Sequence, residues 1–353
     1  MARKKLLPIG VDIGASSAKL MQVRLNGEVP ELYASAAVMI PDHLQGNPAG
    51  ALEFLASKLP RVLKDAKFKG KKCFIALPSS GAFVRHIRVK KSDPRQTEID
   101  VRRAVQVELP YPTNEAIIRH IVAGDIYDEG KVRQEVIVVA MPHGILRTYL
   151  EMLTSVGLEV LGVSVEPDAT VKCFSHLLEG VPGAVVYVDL GSASTQVTIS
   201  LGKDIVFCRS LEGGSGQLNR VIGKGLGKTA EEIALMRWQM QEGEDFGQAG
   251  LEIERWVELW RDDVCADVEK CLRYYEAVFR NSEFSRLIFT GGQSQDRKLC
   301  QSLARRLALP AQVGDPVALL DGSEKISHNG MLYHIPNTSY AVAVGLSLSA
   351  EQK

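Results

Sequence analysis

Residues 10–20 read GVDIGASSAKL, an acid between two glycines, then small hydroxyl residues, then a lysine. Asp12, Gly14, Ala15, Ser16, Ser17 and Lys19 are the residue types a phosphate cradle needs. Glycine lets the backbone approach an oxyanion closely, and the N–H groups of a tight turn point at its oxygens. Serine hydroxyls add donors. A lysine on the returning strand adds a charge-assisted bond of about 1.5–3 kcal/mol. Asp12, at a strand end, suits a magnesium ion held through water, because magnesium keeps most of its hydration shell. An ordinary hairpin turn is the simpler reading of a single copy.

The pattern occurs twice. VDLGSASTQ at 188–196 aligns Asp189 with Asp12, Gly191 with Gly14 and Ser194 with Ser17, about half the chain further on. Asp189, Gly191, Ser192, Ser194 and Thr195 form the second candidate loop, and two such loops can clamp a polyphosphate from both sides. Gln196 stands where the first copy has Lys19. Gly291, Gly292 and Gln293 follow the apolar run LIFT, and Gly213 and Gly214 follow another strand pattern. Each pair fits a backbone lying against a flat base or a phosphate, or a plain turn. Glu166, before Pro167, is a carboxylate that could orient an attacking water, or a solvated or capping residue. GKGLGKT (223–229) is not a P-loop, because Ile222 stands where its first glycine belongs. His86, His120, His143, His176, His328 and His334 are scattered, and no Ser/His/Asp set is legible.

Elements must position these loops. Residues 7–38 alternate around an NG turn and predict a hairpin with a third strand. A helix over 48–66 and a strand over 71–79 follow. Residues 83–89 (strand), 94–109 (helix capped by Asp93) and 116–141 (two strands) read as an inserted α+β unit. A helix over 143–157, a strand over 158–167 ending at Glu166, and a helix from about 168 to 178 lead to the second copy. There 184–211 repeats strand, turn, strand, turn, strand. Helices over 216–227, 229–240 and 253–280 follow, then a strand from 286 and a helix reaching Leu307. The Trp256, Trp260, Tyr274 and Tyr275 stripe reads as packing.

The chain has 353 residues, more than one core usually holds together. Its 42 basic and 42 acidic side chains cancel, so no global field favours nucleic acid or an anionic membrane. Six cysteines without a CxxC pair read as reduced, buried thiols of a cytosolic protein. The opening apolar run meets Asp12 too soon for a signal peptide, and no stretch reaches the roughly 18 apolar residues of a membrane span.

GVDIGASSAKL, VDLGSAST and TGGQSQD resemble the first phosphate, second phosphate and adenosine motifs of the actin-like ATPase superfamily. Within it, EIDVRRAVQVELPYP (98–112), VIVVAMPHGILRTYLEMLTSVGLEVLGVSVEP (136–167), RSLEGGSGQLNRVIGKGLGKTAEEIALMR (209–237) and YAVAVGLSL (340–348) resemble the PilM family of type IV pilus assembly. The resemblance implies an α/β actin-like ATPase fold, two RNase H-like lobes with an inserted small 1C-type subdomain. It divides the chain into 1–80 (subdomain 1A), 81–142 (the insert), 143–180 (return to 1A), 181–212 (IIA), 213–284 (helical IIB) and 285–353 (return to IIA, with a last helix packing on 1A). It implies ATP and Mg²⁺ in the interlobe cleft. The partner it implies is the cytoplasmic N-terminal peptide of a PilN-like inner-membrane protein, bound beside the insert and supplying membrane association, with pilus motor or platform proteins as further partners.

The helix after the second glycine pair carries Ala234 and Arg237 where the superfamily has an acid and a lysine near ribose and base. Arg237 is the base-side candidate. Hydrolysis is expected to be slow at most, with Glu166 as the candidate catalytic carboxylate. The alternatives are a filament-forming ATPase of the FtsA type, or a sugar or metabolite kinase of the same superfamily.

Overall fold

The computed structural model describes residues 4–27, 29–78, 81–128, 130–177, 182–279, 283–322 and 337–351. The expected boundaries at 80 and 180, the expected strand end at Ser79 and helix end at Leu178, and His328 and His334 lie outside the described residues.

The chain opens with β1 (Lys5–Ile13), β2 (Ser17–Asn26) and β3 (Val29–Met39), then α1 (Pro48–Asp65) and β4 (Lys72–Leu77). α1 starts where Asn47 accepts a hydrogen bond from the Gly50 N–H and Pro48 sets the first helical φ. Leu52, Leu55 and Leu59 form its buried stripe. The insert follows as β5 (Phe83–Lys90), α2 (Pro94–Val105), β6 (Ala116–Asp128) and β7 (Lys131–Pro142). Asp93 caps α2 through the Arg95 and Gln96 N–H groups, as its position before Pro94 predicts. The helix stops at Val105 rather than 109, the next residues being turns before Pro110. α3 (His143–Ser155), β8 (Glu159–Val165) and α4 (Glu166–Leu177) complete the first half.

The second half runs β9 (Ala184–Leu190), β10 (Ser194–Leu201), β11 (Asp204–Glu212), α5 (Ser215–Leu226), α6 (Ala230–Gln241), α7 (Gly247–Val278), β12 (Phe284–Thr290), α8 (Arg297–Leu307), β13 (Ala311–Val313) and α9 (Ala341–Leu348). Thr229 and Glu232 form a capping box on α6. α7 begins six residues earlier than the apolar spacing from Ile253 predicts, because Asp245 accepts from the Gly247 N–H and starts a turn.

The internal repeat is a repeat of topology. One sheet has the order β3-β2-β1-β4-β8 and the other β11-β10-β9-β12-β13. In both, the first three strands are antiparallel neighbours and the last two pair in parallel. The insert adds a third sheet, β5-β7-β6, with its own core around Val101, Val105, Val136 and Val138.

α4 and α9 lie between the two large sheets, where Phe174, Ala341 and Val344 share a core with Leu7 and Met21 on one side and Val185 and Tyr187 on the other. The fit of α9 is backbone to backbone. A Cβ on Gly10 would lie 2.0 Å from the Ala343 carbonyl oxygen, and one on Gly345 would lie 1.8 Å from that of Ala169. Ser347 Oγ donates to the Pro8 carbonyl at 2.8 Å and accepts from the Val23 N–H at 3.1 Å. All six cysteines are free and buried. Among the described residues no helix is long and apolar enough to cross a membrane.

Candidate functional site

The two glycine hairpins face each other across a cleft of about 600 Å³ between the sheets. Their turns are built alike. The Gly14 N–H donates to the Ser17 carbonyl at 2.9 Å, and the Gly191 N–H donates to that of Ser194 at 3.1 Å. A Cβ would meet those same carbonyl oxygens at 3.4 Å and 2.8 Å, so the second turn requires glycine whereas the first has room for a methyl.

Register places the charges. Asp12 pairs with Lys19 across β1 and β2, and Asp189 pairs with Gln196 across β9 and β10. The repeat therefore holds one cation, on the first loop only. Asp12 is 6% exposed. Burial pushes its carboxyl up to about 6, Lys19 pulls it back, and Asp189 across the cleft pushes it further. The Asp189 carboxyl is raised as well, by burial first and against the pull of Lys19. The buried Asp12 and the half-buried Asp189 thus share Lys19 as a compensating charge, an arrangement that a cation between them would relieve. Among the described residues no three metal-ligating side chains cluster, so a cation here would keep most of its waters, as magnesium does.

Of the residues singled out in the sequence, Asp12, Gly14, Ala15, Ser16, Ser17, Lys19, Glu166, Asp189, Gly191, Ser192, Ser194, Gly291, Gly292 and Gln293 all line this cleft. Glu166 is not the end of a strand: β8 stops at Val165, and Glu166 opens α4. Gly291 holds φ +85°, and a Cβ there would meet Asp189 Oδ1 at 2.5 Å, so the third glycine turn is wedged against the second loop.

Thr195, Gly213, Gly214 and Arg237 do not line the cleft. Thr195 is buried within β10. The glycine pair braces the second loop. The N–H groups of Gly214, Ser215 and Gly216 donate to the carbonyls of Ala193, Gly191 and Ser192, so these donors at the start of α5 are already satisfied. The Gly213 carbonyl accepts from Trp260 Nε1 at 2.7 Å. Arg237 is buried one layer behind the wall, donating to Asn219 Oδ1 at 2.8 Å and Gln293 Oε1 at 3.1 Å. It reaches the cleft only through those two side chains.

Sequence reading missed Ser215, Gly216 and Asn219, which line the cleft from α5. The run GGSGQ opening a helix is the signal that could have found them. It also missed the 39–45 segment, where Met39 and Gln45 line the opposite side and nothing in the residue types marks them.

The cleft thus brings together two glycine turns, one lysine and two aspartates facing each other. A family model described as type IV pilus assembly protein PilM matches residues 10–351. Among solved structures, the chain is similar to one titled as the PilM-PilN type IV pilus biogenesis complex. That match has a TM-score of 0.75 and 21% identity, and covers 97% of both chains. It is also similar to the ethanolamine utilization protein EutJ from Carboxydothermus hydrogenoformans. Here the TM-score is 0.53 and the identity 15%, over 98% of this chain and 89% of that one. At these identities the likeness speaks for the fold, the two-lobed actin-like ATPase fold.

Proposed function

Since the chain belongs to the PilM family of type IV pilus assembly proteins, we propose that it is an ATP-binding scaffold of the pilus inner-membrane assembly complex. In this reading Mg-ATP sits between the lobes, and a PilN-like membrane protein docks its cytoplasmic N-terminal peptide beside the insert. The observation that carries the nucleotide part is the pair of matching glycine turns on two lobes, each following an aspartate that lines the cleft.

The cleft residues fit such a ligand. Gln196 Nε2 is buried without a hydrogen-bond partner and lines the cleft, and a phosphate oxygen would satisfy it. The volume lies within the range of small-molecule sites. The turns at 14–17 and 191–194 hold the phosphates, Lys19 contacts them by charge, and Asp12 and Asp189 hold the ion through water. Bound magnesium neutralises phosphate charge. Gly291, Gly292 and Gln293 face the adenosine end, and Arg237 orients Gln293. Glu166 is the carboxylate we assign to positioning water, and turnover is slow at most.

The partner reading rests on the family and on the titled complex. Ile99 and Val107, 50% and 87% exposed on and just after α2, supply apolar surface on the insert for a peptide. Membrane association then comes through the partner, and pilus motor or platform proteins complete the assembly. The bound nucleotide sets the lobe angle and with it the shape of the peptide groove.

Isothermal titration of Mg-ATP tests the reading. Wild type should bind, and Asp12→Ala and Asp189→Ala should bind at least tenfold more weakly; heat-silent wild type sinks the nucleotide part.

A further inference from the structure

The insert leaves the first lobe's chain after β4 and returns to it at α3, yet it is fastened to the second lobe. Glu135, on β7, is fully buried. Its carboxylate accepts from Tyr274 Oη of α7 at 2.8 Å and from Arg88 Nε of β5 at 3.3 Å, and Oε1 lies 3.2 Å from His86 Nδ1. The other ring nitrogen of His86 lies 3.0 Å from the Cys208 carbonyl oxygen on β11. The imidazole thus bridges the insert and the second lobe, with its ring 4.9 Å from that of Phe207. Burial alone would raise the Glu135 carboxyl, but the bonds from His86 and Tyr274 and the charge of Arg88 outweigh it and hold it below the usual range. Arg88 is held in turn by Asp128 of β6. Nearby, Gly124 of β6 leaves room for Phe279, whose ring would lie 3.0 Å from a Cβ there.

Thirteen-residue β6 and twelve-residue β7 therefore meet β11 and α7 through a polar clasp and an aromatic contact. A carboxylate so buried is costly to leave unpaired, and one of its donors, Tyr274, comes from the second lobe. Pulling the second lobe away would break the Tyr274 bond to the carboxylate and the contact of His86 with the Cys208 carbonyl, while Arg88 and His86 of the insert stay on Glu135.

We propose that Glu135, His86 and Tyr274 form a clasp that makes the insert move as one body with the second lobe, although its chain belongs to the first. This deepens the functional reading above, on which its regulatory meaning rests. When the lobes rotate, the gap between insert and first lobe changes while that between insert and second lobe does not. A peptide groove beside the insert is then opened or closed directly by the cleft.

Spin labels on introduced cysteines test this, since the native thiols are buried. Exposed Arg61 (α1), Arg95 (α2) and Arg255 (α7) mark the first lobe, the insert and the second lobe. In the full chain without ligand, the Arg95–Arg255 distance should be narrowly distributed. Glu135→Ala should broaden it, and so, more mildly, should Tyr274→Phe, which keeps the ring. Loss of one bond to a carboxylate should speed amide exchange in β5, β7 and β11 about tenfold and leave β1 and β4 unchanged. A distribution as narrow in both variants as in wild type, or uniform acceleration everywhere, overturns the clasp. With Mg-ATP, Arg61–Arg95 should change at fixed Arg95–Arg255. If only that shift fails while the clasp variants broaden, the nucleotide reading falls and the clasp stands.

Discussion

Asp12→Asn should make the protein more stable at neutral pH and worse at its task. Burial lifts the Asp12 carboxyl from an ordinary 3.8 to about 6. At ~1.36 kcal/mol per tenfold change in proton affinity, keeping it ionised above pH 7 costs the metal-free protein about 3 kcal/mol. The folded value exceeds the unfolded one, so the native state holds the proton more tightly. The stability from this group is fully present below pH 3.8 and is lost as pH rises through 6. Asparagine has the shape of the protonated acid and no such dependence. The assay is urea denaturation of both proteins in chelator between pH 4 and 7.5. The variant should match wild type near pH 4 and exceed it by up to about 3 kcal/mol at pH 7.5. Saturating Mg-ATP should then narrow or reverse the gap, because wild type gains more from binding. A variant no more stable than wild type at pH 7.5 without metal would refute the view of Asp12 as a buried charge awaiting a cation.

Other perturbations separate the parts of the site from the parts of the fold. Lys19→Ala should weaken Mg-ATP binding by about 10- to 150-fold, from a charge-assisted bond of ~1.5–3 kcal/mol, and Gln196→Ala should cost about tenfold or less. Equal losses in calorimetry would mean that the asymmetry between the two loops carries no charge contact. Gly345→Ala should destabilise by roughly 3 kcal/mol or more, since overpacking of 1–3 kcal/mol is ordinary and here the added methyl meets backbone at 1.8 Å. An unchanged melting temperature would show that α9 can shift away from α4.

The spacing of the two glycine loops was legible because a hairpin writes its register into adjacent residues. Asp12 and Lys19 are seven apart and pair directly, and the alignment of Asp189 with Gln196 follows from it. The insert was legible from the same local signals, an Asp-Pro cap and alternating strands. Glu135 was not. In VRQEVIVV it occupies a strand position like any solvent-facing glutamate, and its partner Tyr274 lies 139 residues away. The spacing of the stripe containing Tyr274 predicts packing, which holds for Tyr275 but leaves out the hydroxyl of its neighbour. Arg237 failed for the opposite reason. A motif position placed it beside a ligand, whereas burial and two hydrogen bonds turn it to Asn219 and Gln293. β13 is three exposed residues, too short for any periodicity, and exists because β12 offers it an edge.

The packing of α9 also bears on how the protein is made. Pro8 and Ser347 are hydrogen-bonded across 339 residues, and Gly10 lies under the backbone of Ala343. β1 therefore leaves the ribosome long before α9 and waits for that helix to cover its part of the sheet. At about 5–20 residues per second, that wait is tens of seconds. The second lobe's outer core, drawn from residues 184–309, needs no such delay. Nascent chains should thus be open to chaperones and proteases around β1 until α9 has been made.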